Sequence, residues 1–170
     1  MSKLIIVAGL AGTGKTTLAS KLSETLRITS FHKDSIKEKL FDSLNLSTLE
    51  DSQELGTHSI NLLFGLAEEH LSKGMDLIIE GPLYFEEDYK IFHGWQKKYD
   101  IQIYSIICQI PIEIRKERFR NRPRHRAHHD ADRVYQDRDE SVYENLPGNK
   151  TYITTDRPVE ELIETIIKNL

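Results

Sequence analysis

Eight consecutive residues near the amino end, Gly9-Leu10-Ala11-Gly12-Thr13-Gly14-Lys15-Thr16, follow the pattern G-x-x-x-x-G-K-T. The chemistry such a run supports is anion binding. Gly9, Gly12 and Gly14 permit φ > 0, so successive N–H groups turn inward and form a concave nest for phosphate oxygens. Lys15 carries a mobile positive charge to the β- and γ-phosphates, and the hydroxyl of Thr16 suits Mg²⁺. The helix that opens here, with Thr17 in its first turn, aims its positive dipole end at the same point. The implied ligand is a nucleoside triphosphate with magnesium, held by residues 9 to 17.

Further along the chain, several residues have types and positions that suit phosphoryl chemistry. Asp34 follows a short β-rich run and is expected at the mouth of the same cleft, where a carboxylate accepts or orients the proton of an attacking hydroxyl. Its rival role is structural, because Asp is a good helix N-cap and Ser35 with Glu38 spells a capping box. Glu80 ends the apolar run Leu77-Ile78-Ile79 and suits a magnesium-bound water, or else is a solvated strand end. Beyond it, Leu83-Tyr84-Phe85-Glu86 offers aromatic surface for an acceptor, or plain packing.

Arg118 and Arg122 stand four apart on a helical stretch and share a face. One guanidinium can stack on a base while the other neutralises charge on a transferred group. Pro123 then breaks the helix. The polar run from Arg124 through His125, Arg126, His128 and His129 to Asp130 reads as part of a lid over residues 120 to 133, with Arg122 and Arg126 as phosphate contacts. The alternative is a solvated basic face balanced by Asp130, Asp132, Asp137 and Asp139. A zinc site on the three histidines is disfavoured by the missing cysteines and the surrounding arginines.

These residues need a frame to position them. Apolar β-rich runs at 3–8, 29–32, 76–80, 102–110 and 151–155 alternate with helical patterns at 15–26, 35–43, 52–72, 86–99, 112–122, 132–144 and 159–169. Such alternation predicts an α/β three-layer fold, a five-stranded parallel sheet with helices on both faces and its cleft at the strands' carboxyl ends. With 170 residues and 38% hydrophobic content, the chain suits one domain, 1–170. A net charge of −4 argues weakly against a polynucleotide partner. No apolar run approaches the ~20 residues that a membrane-spanning helix needs. The lone Cys108 excludes an internal disulfide and fits a reducing cytoplasm.

In their order along the chain, the phosphate loop, Lys33-Asp34, Glu80, the arginine-rich segment and the final Thr154-Thr155-Asp156-Arg157-Pro158 turn resemble the small single-domain P-loop kinases. That group includes gluconate and shikimate kinases, chloramphenicol phosphotransferase, zeta toxins and polynucleotide 5'-kinase domains. The resemblance implies strand order 2-3-1-4-5, ATP as donor with Mg²⁺, and catalytic roles for Lys15, Asp34, Arg122 and Arg126. It also implies that Asp34 engages the acceptor hydroxyl, that Arg118 stacks on adenine, and that the turn at Arg157 lies against the base. Many relatives carry Arg where this chain has Lys37, and Asp where it has Glu80. The expected function is a kinase acting on a small-molecule hydroxyl, with a nucleotide or polynucleotide 5'-hydroxyl as the alternative acceptor. A nucleotide-dependent binding switch fits poorly: Asn149-Lys150-Thr151-Tyr152 lacks the guanine-reading aspartate, and Glu80-Gly81-Pro82-Leu83 replaces an Asp-x-x-Gly switch.

Overall fold

The run from Leu4 to Ala8 has no polar face, and a strand of that kind is stable only when covered on both sides. The computed structural model, which describes residues 1–129 and 138–170, places it at the centre of the sheet. The strand β1 (Ser2–Gly9) is followed by α1 (Lys15–Leu26), β2 (Thr29–His32), α2 (Lys33–Ser43), α3 (Leu49–Ser72) and β3 (Leu77–Gly81). Then come α4 (Glu86–Lys98), β4 (Ile101–Gln109), α5 (Ile112–Asn121), β5 (Asn149–Thr154) and α6 (Val159–Ile167). The sheet order is β2-β3-β1-β4-β5 and every pairing is parallel.

Side chains of β1 alternate between two cores, as the pleat requires. Leu4, Ile6 and Ala8 pack with Leu63, Phe64 and Ala67 of α3 and Phe92 and Trp95 of α4. Ile5 and Val7 pack on the other face with Leu18 and Leu22 of α1 and Leu162 and Ile166 of α6. All five of these β1 residues are fully buried. The carboxyl end of β1 is therefore held from both sides, and the loop after it inherits that rigidity. Among the described residues, no helix is long and apolar enough to cross a membrane.

Three local expectations are corrected. Helix α2 starts at Lys33, with His32 in the N-cap position and no side-chain cap. Ser35 is thus already inside the helix, and the Ser35/Glu38 capping box does not form. Helix α3 starts at Leu49, earlier than Ser52, because Thr48 and Asp51 form a reciprocal box: Asp51 N–H donates to Thr48 Oγ1 at 3.0 Å and Thr48 N–H to Asp51 Oδ2 at 2.9 Å. The helix expected over 132–144 lies partly outside the described residues. Its described part is a 3-10 turn, Glu140–Asn145, capped by Asp139. Tyr143 of that turn is buried against the α3–α4 core, which favours a tight turn over a free helix.

Phe92 is fully buried and meets Phe64 and Trp95 edge-on or tilted, with ring centroids 5.7 Å apart in each case. Replacing it by Ala removes those contacts and leaves a cavity, so Phe92→Ala is expected to lower unfolding free energy by about 3–5 kcal/mol, read from urea denaturation.

Candidate nucleotide and phosphoryl-transfer site

The phosphate loop joins β1 to α1 and is fastened by groups distant in sequence. Inside it, the Thr13 hydroxyl donates to Leu10 O at 2.8 Å. From the far edge of the sheet, the Thr155 hydroxyl donates to Thr13 O at 2.6 Å, and Thr155 N–H donates to Gln109 O at 3.0 Å. Arg118 of α5 closes this brace, donating from Nη1 to Thr155 Oγ1 at 3.2 Å and from Nη2 to Thr155 O at 2.9 Å. Gly12, at φ 84°, packs so tightly that an added Cβ would lie 2.5 Å from Arg115 O. Gly14 caps α1 at φ 80°, which is the left-handed conformation that turns its neighbours' N–H groups inward.

Lys15 opens α1 and is buried, with Nζ 3.9 Å from Oε1 of Glu80. Glu80 is only 2% exposed, and its other oxygen, Oε2, lies 3.1 Å from Nδ1 of His32. Strand pairing sets this contact, since His32 and Glu80 stand in register across β2 and β3. A carboxylate only accepts, so Nδ1–H of His32 donates to it; in neutral imidazole, the Ser30 hydroxyl then donates to Nε2 at 3.0 Å. Thr16 is exposed at the opening of α1. The Thr16 hydroxyl and the Glu80 carboxylate are oxygen groups, the donor type magnesium takes from a protein before phosphates and water complete its shell.

Asp34 lies in the first turn of α2, with Oδ1 3.2 Å from Lys33 Nζ. Burial acts to raise its pKa, but Lys33, Lys15 and His128 outweigh it and hold the carboxyl down at about 2. Lys15 and Asp34, read separately from the sequence, therefore share one electrostatic neighbourhood.

The remaining expected residues divide. Arg118 and Arg157 line a cavity of about 420 Å³ beside the loop, with Gly14, Thr17, Leu18 and Leu162. Arg122 ends α5 with its guanidinium 5.2 Å from the centre of the Phe119 ring. Arg126, expected as a phosphate contact, is turned to Asp42 of α2, donating from Nε at 3.0 Å and Nη2 at 2.8 Å to Oδ1. Residues 130–133 of the expected lid lie outside the described residues; Arg126–His128 form a 3-10 turn. A second cavity of about 250 Å³ is lined by Lys33, whose ammonium holds Asp34, and by Gln53, Thr57, Tyr84, Phe85 and Asp88 among others. Sequence reading named Thr155 only as part of the final turn, and missed His32, Arg115 and Ser52. Only His32 had a signal, its place at the end of a strand next to the one carrying Glu80.

A parallel sheet of order 2-3-1-4-5, with a phosphate loop after its central strand, defines a P-loop kinase fold. A family model described as an AAA domain matches residues 4–146, and the chain belongs to that family. A protein from Chloroflexus aurantiacus j-10-fl assigned as a kinase is similar at 26% identity and a TM-score of 0.82, covering 99% of this chain and 98% of its own. The Mycobacterium tuberculosis APS kinase in complex with AMPPNP and APS shares the fold at 16% identity and a TM-score of 0.59, covering 98% of this chain and 96% of that one. Shikimate kinase from Aquifex aeolicus vf5 does so at 17% and 0.56, covering 98% and 94%. No curated protein matches the sequence.

Two outcomes follow from the geometry. Gly12→Ala forces its Cβ against Arg115 O in a backbone conformation that disfavours any side chain, and is expected to weaken ATP binding at least about tenfold by calorimetry, at a cost in the ~1–3 kcal/mol range of local backbone strain. Asp34 has a folded pKa below its ordinary 3.8, so its ionised form favours the fold above that value, and the contribution is lost as pH falls through about 2. Its carboxyl resonance in an NMR titration is accordingly expected to show no protonation step between about pH 4 and pH 8.

Proposed function

We propose that this protein is a kinase that transfers the γ-phosphoryl group of ATP to a hydroxyl of a small-molecule acceptor. One observation carries the reading: parallel pairing of β1, β3 and β2 brings Lys15, which follows β1 through the phosphate loop, and Asp34, which follows β2, to the same end of the sheet. A cation for the donor phosphates and an anion for an attacking hydroxyl are what an in-line displacement needs on its two sides.

The roles follow from position. Backbone N–H groups of residues 9 to 17 cradle the phosphates, and Lys15 neutralises charge that builds on the transferred group. The base of the donor fits the cavity beside Arg118 and Arg157, whose floor of Leu18, Val159 and Leu162 is apolar. Thr16 and Glu80 would hold magnesium, which would supply further neutralisation of the donor's phosphate charge. Glu80 also holds Lys15 in place, and His32 holds Glu80. The acceptor occupies the smaller cavity walled by Lys33, and the Asp34 carboxylate that Lys33 holds accepts a hydrogen bond from the hydroxyl and fixes its line of approach. The Tyr84 ring of the Leu83–Glu86 loop forms part of that wall.

Labelled ATP and a panel of hydroxyl compounds test the reading. Lys15→Ala is expected to abolish transfer and weaken ATP binding. Asp34→Asn is expected to cut kcat by about 100-fold or more while KM for ATP stays within about threefold, the pattern of a group that acts in the transition state. ATP binding unchanged in Lys15→Ala would remove the basis of the proposal.

A further inference from the structure

The cavity walled by Lys33 draws its lining from three parts of the chain, and their charges do not balance. Lys33 comes from α2, Gln53 and Thr57 from α3, and Tyr84 and Asp88 from the loop after β3 and the first turn of α4. Gln53, Gly56, Thr57 and Ile60 stand three, four and seven residues along α3 and so share one face. Gly56 leaves a gap on it, since an added Cβ there would meet nothing within 4 Å.

Asp88 is the charged group of this lining that no cation meets. It is only 5% exposed. Its Oδ2 accepts the Phe85 N–H at 3.1 Å as part of the cap of α4, and among the described residues nothing engages Oδ1. Burial pushes its carboxyl up, the Phe85 N–H draws it back, and Glu87 pushes it up again. A buried carboxylate in that position is costly until a cation reaches it.

The neighbouring cations are committed elsewhere. Lys33 Nζ lies 3.2 Å from Asp34 Oδ1. Arg138 rests over the Tyr84 ring, 4.3 Å from its centre, and 5.9 Å from that of Phe85. Lys37, itself buried, donates to Ser52 Oγ at 2.8 Å, and the Ser52 hydroxyl donates to Ala127 O at 2.6 Å. Ala127 is fully buried with Phe41 and Leu55, so this chain of donors fastens the turn after α5 to α2 and α3. An acceptor bearing a carboxylate or phosphate would add to the charge of Asp88, whereas one bearing an ammonium would cancel it.

We propose, on the kinase reading above, that the acceptor is an amino alcohol or amino sugar: Asp88 Oδ1 takes its ammonium while Asp34 takes its reactive hydroxyl. A protonated amine has no lone pair, so it anchors the molecule and the phosphoryl group goes to oxygen. Gln53 and Thr57 serve the remaining polar groups, and Leu83 and Tyr84 pack on its carbon skeleton. The cavity, at about 250 Å³, falls below the ~300–1,000 Å³ of drug-sized sites, which suits a compound no larger than a monosaccharide.

Matched alcohols test the proposal with the full chain, labelled ATP and magnesium. Glucosamine, glucose and glucuronate form one set; ethanolamine, ethylene glycol and glycolate form another. In at least one set the amine is expected to be phosphorylated with a kcat/KM about tenfold or more above its neutral counterpart, and further above the acid. Asp88→Asn keeps an oxygen for the Phe85 N–H and should melt close to wild type. It is expected to raise KM for the amine about tenfold or more and to erase the preference over the neutral compound. A capping role alone would lower the melting temperature and leave that preference in place. Gly56→Leu fills the gap on α3 without straining the helix, and is expected to raise KM for the acceptor while ATP affinity stays within about threefold. Neutral or anionic members used as well as the amines, an amine preference that survives Asp88→Asn, or an acceptor KM unchanged in Gly56→Leu overturns the proposal. So does a chain that binds ATP and phosphorylates neither amine. A chain that binds no ATP instead overturns the kinase reading beneath it.

Discussion

The burial of β1 on both faces is the constraint from which the rest of the molecule follows. A strand with five consecutive fully buried apolar residues tolerates neither a shift of register nor an exposed neighbour, because a one-residue slip would exchange its two cores. Its end therefore sits at a fixed point between α1 and α3. The glycine-rich loop that leaves it, the Lys15 that follows, and the Glu80 of the neighbouring β3 are all referred to that point. Parallel pairing aligns the carboxyl ends of β1, β2 and β3, so Gly9, His32 and Glu80 emerge at one rim.

At that rim the charges are arranged in chains. Ser30, His32, Glu80 and Lys15 form one, with His32 and Glu80 engaged on both sides. Glu80, almost fully buried, is tolerable only because a cation and a hydrogen-bond donor meet its two oxygens. Lys33, Asp34 and Lys15 form a second, and it leaves Asp34 ionised where the cleft opens. Glu38 and Asp42 of α2 form the third. They are taken by His128 and Arg126 of the turn at 125–128, which brings a segment about ninety residues distant in sequence against the helix that carries Asp34. The first two chains lie at the two ends of the proposed reaction; the third joins the segment after α5, the helix that braces the phosphate loop through Arg118 and Thr155, to α2.

Local pattern carried much of this. The phosphate loop is legible because its chemistry demands particular residue types at consecutive positions, and the strands because parallel burial writes them as unbroken apolar runs. Boundaries and caps were less legible. Ser35 and Glu38 match a capping box in spacing, yet β2 feeds straight into α2, and Glu38 is spent on His128. Asp51 formed the box that was not anticipated, at α3. Arg126 had the composition of a phosphate ligand and found a nearer carboxylate in Asp42.

What the sequence determined by itself was the ligand class, the parallel α/β frame and the candidacy of Asp34 and Glu80, since each depends on residue type within a short window or on periodicity along one element. The tertiary structure alone decided which of those groups touch. The His32–Glu80 contact arises from strand register, the Thr155–Thr13 bond from the docking of the last strand at the sheet edge, and the His128–Glu38 pair from the seating of Ala127 between α2 and α3. Each joins segments far apart in the chain, and non-local packing of that kind leaves no mark in the spacing of the residues it brings together.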